Sequence, residues 1–271
     1  MKEEYLSLRE IQLEELIILK KVTKYIKSKN LKYFLAGGTL LGAIRHKGFI
    51  PWDDDVDICM QRPDYDKFLQ YIKEEKIDDN YEIQTIELNN STRTFIKIIN
   101  RNIPIQSASI EDKYLWIDIF PLDGAPGEME ETKKMIDKNI FLKGQIYLRT
   151  TKCREILKEK KKMSNKILKI LLKPITYSHN VKHYANQMVN TAKKYDYNTS
   201  EYIADFAWPD GYQSIFRKEW FEKAKELKFE DELFDVPDGY VEYLTHLYGN
   251  YMELPDESER KSHNILAQKL K

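Results

Sequence analysis

Four carboxylates fall within five residues: Asp53, Asp54, Asp55 and Asp57, between Pro51-Trp52 and the apolar Ile58 and Met60. Charges of one sign packed this closely repel, so a chain that must bury their neighbours needs a cation to hold them or water to screen them. The apolar flanks argue against a purely solvated loop. If residues 53–60 form a strand, side chains two apart share a face. Asp55 and Asp57 then point one way, Asp53 is uncertain, and Asp54 points elsewhere. Hard divalent ions take oxygen ligands, and Mg²⁺ is usually held by one or two carboxylates with substrate phosphates completing its shell. A third carboxylate, to bridge metals or to take a nucleophile's proton, is available in Asp118. It stands alone in Leu115-Trp116-Ile117-Asp118-Ile119-Phe120, where an unpaired charge would be expensive.

Plainer readings compete with this one. Asp53-x-Asp55-x-Asp57 mimics the start of a calcium-binding EF-hand loop, but the sixth position is Ile58 instead of Gly and the twelfth is Asp64 instead of Glu. A solvated turn without metal would also accept the cluster. Asp118 taken alone could be a buried acid paired with a nearby Arg or Lys. Gly37-Gly38, taken alone, reads as an ordinary turn.

The elements that must position these residues follow from periodicity. Ser7-x-x-Glu10 is a capping box opening a helix over 7–29, with Ile11, Ile18, Val22 and Tyr25 on one face. Residues 31–36 read as a strand running into Gly37-Gly38-Thr39. Thr39 to Arg45 reads as a short helix whose first amides face the glycines, a setting suited to phosphate. A turn over 48–52, a strand over 53–60 and a helix over 63–75 follow. Short strands are expected at 81–87, 94–99, 103–107 and 114–120, and the breaker-rich loop 121–127 closes the sheet-bearing half. Beyond it the pattern turns helical. Between Lys152 and Lys173 nine Lys or Arg stand against two Glu, interleaved with Ile156, Leu157, Met163, Ile167, Leu168, Ile170, Leu171 and Leu172. That stretch could lie on an anionic membrane or be a solvated helix face. Residues 180–195 read as a further helix, 202–220 are rich in aromatics, and a last helix leads to Tyr248.

With 271 residues, 42% hydrophobic and 32% charged, the chain is globular, and its zero net charge gives no sign of a nucleic-acid partner. Cys59 and Cys153 form no metal-ligand pattern and suggest a reducing compartment. No signal peptide or spanning segment is visible, so a cytoplasmic location is expected, with peripheral membrane contact through 152–173.

The combination of strand, Gly-Gly-Thr, helix, acidic segment and a later strand with a lone Asp is the pattern of the nucleotidyltransferase fold of the DNA polymerase β superfamily. The run Ala36-Gly-Gly-Thr-Leu-Leu-Gly-Ala-Ile-Arg-His-Lys-Gly-Phe-Ile-Pro-Trp-Asp-Asp-Asp-Val-Asp-Ile resembles the LicD family, which includes the fukutin-type phosphotransferases. The likeness continues through Phe95-Ile-Lys97, Trp116-Ile-Asp-Ile-Phe-Pro-Leu-Asp123, Tyr248-Gly-Asn-Tyr-Met-Glu-Leu-Pro255 and Arg260-x-x-His263. One departure is Leu-Pro-Asp in the tail, where the family commonly has Pro-Pro. The resemblance implies an α+β fold, a mixed sheet flanked by helices. A nucleotidyltransferase core over 1–126 would be followed by a helical region over 127–271 that completes the substrate site.

It further implies transfer of a phospho-substituent, phosphocholine foremost, from a CDP-linked donor such as CDP-choline to a hydroxyl of a cell-surface glycan or lipid-linked glycan, releasing CMP. Mg²⁺ or Mn²⁺ would be held by Asp55, Asp57 and Asp118, with Asp118 completing the site or acting as base. Amides of Gly37, Gly38 and Thr39 would meet phosphate, and Arg45 and Lys97 would neutralise the departing nucleotide. Arg260 and His263, one helical turn apart if helical, would contact donor or acceptor. For each cation the plain alternative is a surface ion pair, and for His46 an exposed ring. A choline head group would favour an aromatic cage. Trp52, Trp208, Tyr212 and Trp220 are candidates, with core packing as the plain alternative. Three other functions remain open on the motifs: nucleotidyl transfer from an NTP, glycosyl transfer using Asp55-Val56-Asp57, and binding without catalysis.

Overall fold

The computed structural model describes residues 5–106, 112–158, 162–178, 180–260, 262 and 265–269. Helix α1 (Leu8–Ser28) opens with the expected capping box: Ser7 Oγ accepts from the Glu10 amide, and Glu10 Oε2 accepts from the Ser7 amide at 2.7 Å. Then come β1 (Phe34–Leu35), α2 (Gly37–Arg45), β2 (Asp57–Gln61), α3 (Arg62–Glu74), β3 (Tyr81–Gln84), β4 (Ile96–Gln106) and β5 (Tyr114–Gly124). The second half holds α4 (Met129–Thr150), α5 (Cys153–Lys158), α6 (Met163–Leu172), α7 (Val181–Ala192), β6 (Tyr202–Ala204), β7 (Ile215–Arg217), β8 (Ala224–Phe229), β9 (Glu232–Pro237), α8 (Tyr240–Tyr248) and β10 (Leu266–Ala267).

The fold is α+β. One path through its main sheet runs β1-β2-β5-β4-β10, with β3 also on β4, and β6 and β7 continuing from the end of β5. Among the described residues only β2 and β5 pair in parallel. The Ile-rich run of β4 and the apolar residues of β5 are buried on both faces, which is why they read as near-continuous apolar stretches. Residues 127–271 are not wholly helical. They supply β6, β7 and β10 to the sheet and the β8–β9 hairpin, and Ile203, Phe216, Phe221, Phe229 and Phe234 enter the same apolar core as α1 and β2. These strands are short and their alternation is broken by aromatics, so helical spacing dominated the sequence pattern.

Two local corrections bear on the acidic segment. The strand begins at Asp57, not Asp53; residues 53–56 are irregular. The Asp53 carbonyl is instead held by buried Gln12 of α1, whose Nε2 donates to it at 2.8 Å and to the Ile50 carbonyl at 3.3 Å. Helix α2 starts at Gly37, two residues before Thr39. At the other end of the chain, residues 257–259 form one 3₁₀ turn and Arg260 is extended.

Candidate active site

Strand register makes the site. Asp57 of β2 stands opposite Asp118 of β5, and Asp118 opposite Lys97 of β4. Three adjacent strands thus set three charged side chains in one row across the sheet. The row lines a cavity of about 840 Å³, together with Gly37, Gly38 and Asp55. Asp118 is 9% exposed and Lys97 2%, so both charges sit out of bulk water.

The buried lysine is spoken for. Its Nζ lies 3.1 Å from Asp118 Oδ1 and 3.3 Å from Oδ2, 3.6 Å from Asp112, and 3.6 Å from the centroid of the Trp116 ring. Trp116 Nε1 also donates to Asp118 Oδ2 at 3.0 Å, while the contact to Oδ1 is electrostatic and that oxygen accepts no hydrogen bond among the described residues. Arg93 pairs with Asp112 at 2.6 Å and borders the same cavity. Burial pushes the Lys97 ammonium down, opposed by Asp118 and Asp112. Burial pushes Asp118 up, opposed by Lys97 and Arg93. Asp57 is pushed well above the ordinary carboxylate range by burial, then by Asp55, Asp118 and Asp53.

The glycines are required by this crowding. A side chain on Gly38 would stand 2.7 Å from Asp53 Oδ2, and Gly37 has φ +50°, the left-handed region that side chains resist. The Gly37 amide donates to the Tyr243 hydroxyl at 3.2 Å, and Thr39 Oγ1 accepts from the Asp57 amide at 2.9 Å. Thr39 therefore ties the helix to the acidic strand. The Gly38 and Thr39 amides lie in the first turn, beyond reach of the helix's own carbonyls.

Beneath the acidic segment, Asp54 is buried and accepts from the Ile265 amide at 3.2 Å, which agrees with its exclusion from the row. Glu15 of α1 is wholly buried, and neither of its oxygens finds a hydrogen bond among the described residues. Burial, then the charges of Asp55, Asp54, Asp53 and Asp57, push it well up.

Other expected site residues lie elsewhere. Arg45 donates to the carbonyls of Tyr251 and Glu253 at 2.9 and 3.0 Å and does not line the cavity. The Arg260 guanidinium stacks 4.6 Å from the Trp52 ring, whose other neighbour is His46 at 6.1 Å. These four residues pin the tail to the acidic segment. His263 lies outside the described residues. Of the four aromatics named for a cage, only Trp208 lines the cavity.

The profile described as LicD/FKTN/FKRP, nucleotidyltransferase domain, matches residues 30–153. A Haemophilus influenzae protein named lipopolysaccharide cholinephosphotransferase LicD is 34% identical over 268 residues, covering 96% of this chain and 97% of that one. This chain belongs to the LicD family. Ribitol 5-phosphate transferases FKRP of human and mouse share 49% identity over 37 residues, 14% of this chain and 8% of theirs.

In this LicD-family chain the profile spans the charged row but stops short of eleven of the 28 residues that line the cavity. Asp205, Trp208, Tyr243 and Tyr248 come from beyond residue 153. Sequence reading missed Arg93, Asp112, Trp116, Asp205, Tyr243 and Tyr248. Trp116 could have been found by its two-residue offset from Asp118. Tyr248 stands in the tail motif already noted. Arg93 and Asp112 carry no local signal; the folding of β4 on β5 brings them together.

The donor set suits a hard divalent cation. Among the described residues no three His, Cys, Asp or Glu side chains close into a metal cage of their own. Asp57 and Asp118 in register, with a buried Asp118 oxygen that accepts no hydrogen bond among the described residues, fit the oxygen ligands Mg²⁺ takes when phosphates complete its shell.

Proposed function

We propose that the chain transfers phosphocholine from CDP-choline to a hydroxyl of a lipopolysaccharide-type glycan or its lipid-linked precursor, releasing CMP. The observation that carries the reading is the Asp57–Asp118–Lys97 row on the wall of a large cavity, in a chain matched along 96% of its length by a protein named as a lipopolysaccharide cholinephosphotransferase. In the reaction, the acceptor oxygen attacks the phosphorus that bears choline. The bond from that phosphorus to the bridging oxygen breaks, and CMP leaves with that oxygen.

Such transfer is mostly positioning and charge compensation. The Gly38 and Thr39 amides, at a helix N-terminus, receive a phosphate oxygen. A Mg²⁺ or Mn²⁺ ion held by Asp55 and Asp57 would neutralise charge on the diphosphate. Asp118 Oδ1 takes the acceptor's proton or completes the ion's shell. Lys97 keeps Asp118 oriented and supplies positive charge at the row; its contacts favour this role over a free contact to the nucleotide.

The membrane-facing part of the reading rests on α6. None of its ten residues is buried, and Met163, Ile167, Leu168, Leu171 and Leu172 form one exposed apolar stripe beside Lys162, Lys166, Lys169 and Lys173. That composition fits an anionic lipid surface. Helix α6 packs on α5, whose Glu155 and Lys158 border the cavity, so docking there would bring a lipid-linked acceptor to its rim. Among the described residues no helix is long and apolar enough to cross a membrane. A nucleotide-activated donor would suit a reaction on the cytoplasmic side.

The deciding experiment incubates the protein with CDP-choline, CDP-ribitol, CDP-glycerol or each NTP, with Mg²⁺ or Mn²⁺. CMP release from CDP-choline supports the reading. Pyrophosphate release from an NTP replaces it with nucleotidyl transfer.

A further inference from the structure

Two residues along each strand from the charged row lies a second row of different character. Phe120 follows Asp118 on β5, Cys59 follows Asp57 on β2, and Phe95 precedes Lys97 at the start of β4. All three line the cavity, about 7 Å from the first row at the rise of a strand. The Phe95 and Phe120 rings are 4.6 Å apart at 38°, and Trp208 meets Phe95 at 5.7 Å and 73°. Asp205 borders the same end and accepts from the Trp208 amide at 2.9 Å.

The carboxylates of this cavity differ in one respect. Asp112 and Asp118 are paired with Arg93 and Lys97, and Asp210 with Lys143. Among the described residues no Lys or Arg pairs with Asp205; Lys143 acts on it only from a distance. Lys143 stands 4.7 Å from the Trp208 ring and lines a neighbouring groove, not the cavity, while Trp208 lines both spaces.

A quaternary ammonium cannot donate a hydrogen bond. It is recognised by aromatic faces and a negative charge that need no directional contact. We propose that Phe95, Phe120, Trp208 and Asp205 form the head-group subsite, selecting a quaternary ammonium on the transferred phosphate. The assignment rests on phosphocholine transfer, which it deepens: the phosphate sits on the charged row and the two-carbon linker spans to the aromatic row. Burial pushes the Asp205 carboxyl up to about 6, which leaves it mostly ionised at neutral pH and favours a cationic neighbour.

Direct binding tests the subsite apart from turnover. Phosphocholine, phosphoethanolamine, glycerol 3-phosphate and CMP are titrated into the full chain with Mg²⁺ by calorimetry. Phosphocholine should bind at least ~10-fold more tightly than glycerol 3-phosphate. Asp205→Asn and Trp208→Leu should each erase that preference with CMP affinity unchanged, and Trp208→Phe should retain most of it. Equal losses of CMP and phosphocholine affinity, or a wild type without preference, would overturn the subsite. If no CDP-donor releases CMP yet the preference exists and the variants abolish it, phosphocholine transfer falls and the subsite stands. If CMP release is robust and the preference is absent, the subsite falls and transfer stands.

Discussion

Strand β5 carries two buried aspartates five residues apart, and their surroundings are opposite. Asp123 is fully buried and met by Arg62 along both oxygens, Nε to Oδ1 at 2.5 Å and Nη2 to Oδ2 at 3.0 Å. Both carboxylate oxygens are used, and neither Arg62 nor Asp123 lines the cavity. Asp118 has a point-charge partner, Lys97, and one oxygen without a hydrogen bond, and it faces Asp57 in a neighbourhood with more carboxylates than cations. A fork matched to a carboxylate closes a site and makes a structural pin. An ammonium leaves coordination open, and surplus negative charge beside a cavity favours a cation, or a phosphate that arrives with one. The plain reading of a lone acid in an apolar strand, a buried pair, thus describes Asp123 fully and Asp118 only in part.

The sharpest way to break this contrast is at Asp118 and Asp57. Asp118→Asn should lower turnover per folded molecule by ~10²–10⁴-fold, if it handles a proton. Weakened Mg²⁺ affinity in the same variant would assign it to the ion's shell instead. Asp57→Asn should lose both ion affinity and activity. Retention of activity in either variant would show that the row is not the reaction centre.

The reverse pattern is expected at the pin. Arg62→Met leaves Asp123 buried without its partner and should cost about 3–5 kcal/mol of stability in denaturant titrations. Activity per folded molecule should be retained. Loss of turnover without loss of stability would mean the two aspartates are not distinct in kind.

A smaller effect follows from protonation. Burial and facing carboxylates raise Asp57, and Glu15 beneath it, above their unfolded values. A raised carboxyl contributes stability below its ordinary value, and that stability is lost as pH rises through the folded one. Without divalent ions the protein should therefore become less stable from acidic to neutral pH. Mg²⁺ should flatten that fall, as should Asp57→Asn. Thermal melts across pH with and without Mg²⁺ check this; a profile indifferent to both would remove the argument for surplus charge.

The least effect on the fold is expected at α6. Leu168→Ser with Leu171→Ser should change stability by no more than ~0.5 kcal/mol each, since neither side chain is buried. Sedimentation with phosphatidylglycerol vesicles should drop at least ~10-fold, and phosphatidylcholine vesicles should bind little in either form. Equal binding to both lipids would leave α6 a solvated face.

Legibility followed the range of the interactions. The capping box at Ser7, the Gly-Gly turn into α2 and the apolar runs of β4 and β5 are local, and they were readable. The strand start at Asp57 was not, because Asp55-Val56-Asp57-Ile58 alternates acidic and apolar as a strand would, yet Gln12 of α1 holds the backbone of Asp53 in another shape. Arg45 was expected to neutralise the departing nucleotide and Arg260 to contact donor or acceptor; the carbonyls and Trp52 that they meet come from distant segments. The strands after residue 200 are short and carry little pattern of their own; β6 docks on distant β5 and β10 on distant β4, while β7 pairs with β6 and β8 with β9.

By itself the sequence determined the α+β class, the family pattern and the chemical types present: clustered carboxylates, a lone strand Asp, glycines before a helix. These depend on side-chain identity and on spacing within one element. Tertiary structure alone decided which charges meet. Parallel pairing of β2 with β5, and antiparallel pairing of β4 with β5, put Asp57, Asp118 and Lys97 in one row. Register is set by burial of both sheet faces and by Thr39 holding Asp57, and a slip of one residue would turn Asp118 away from its partners.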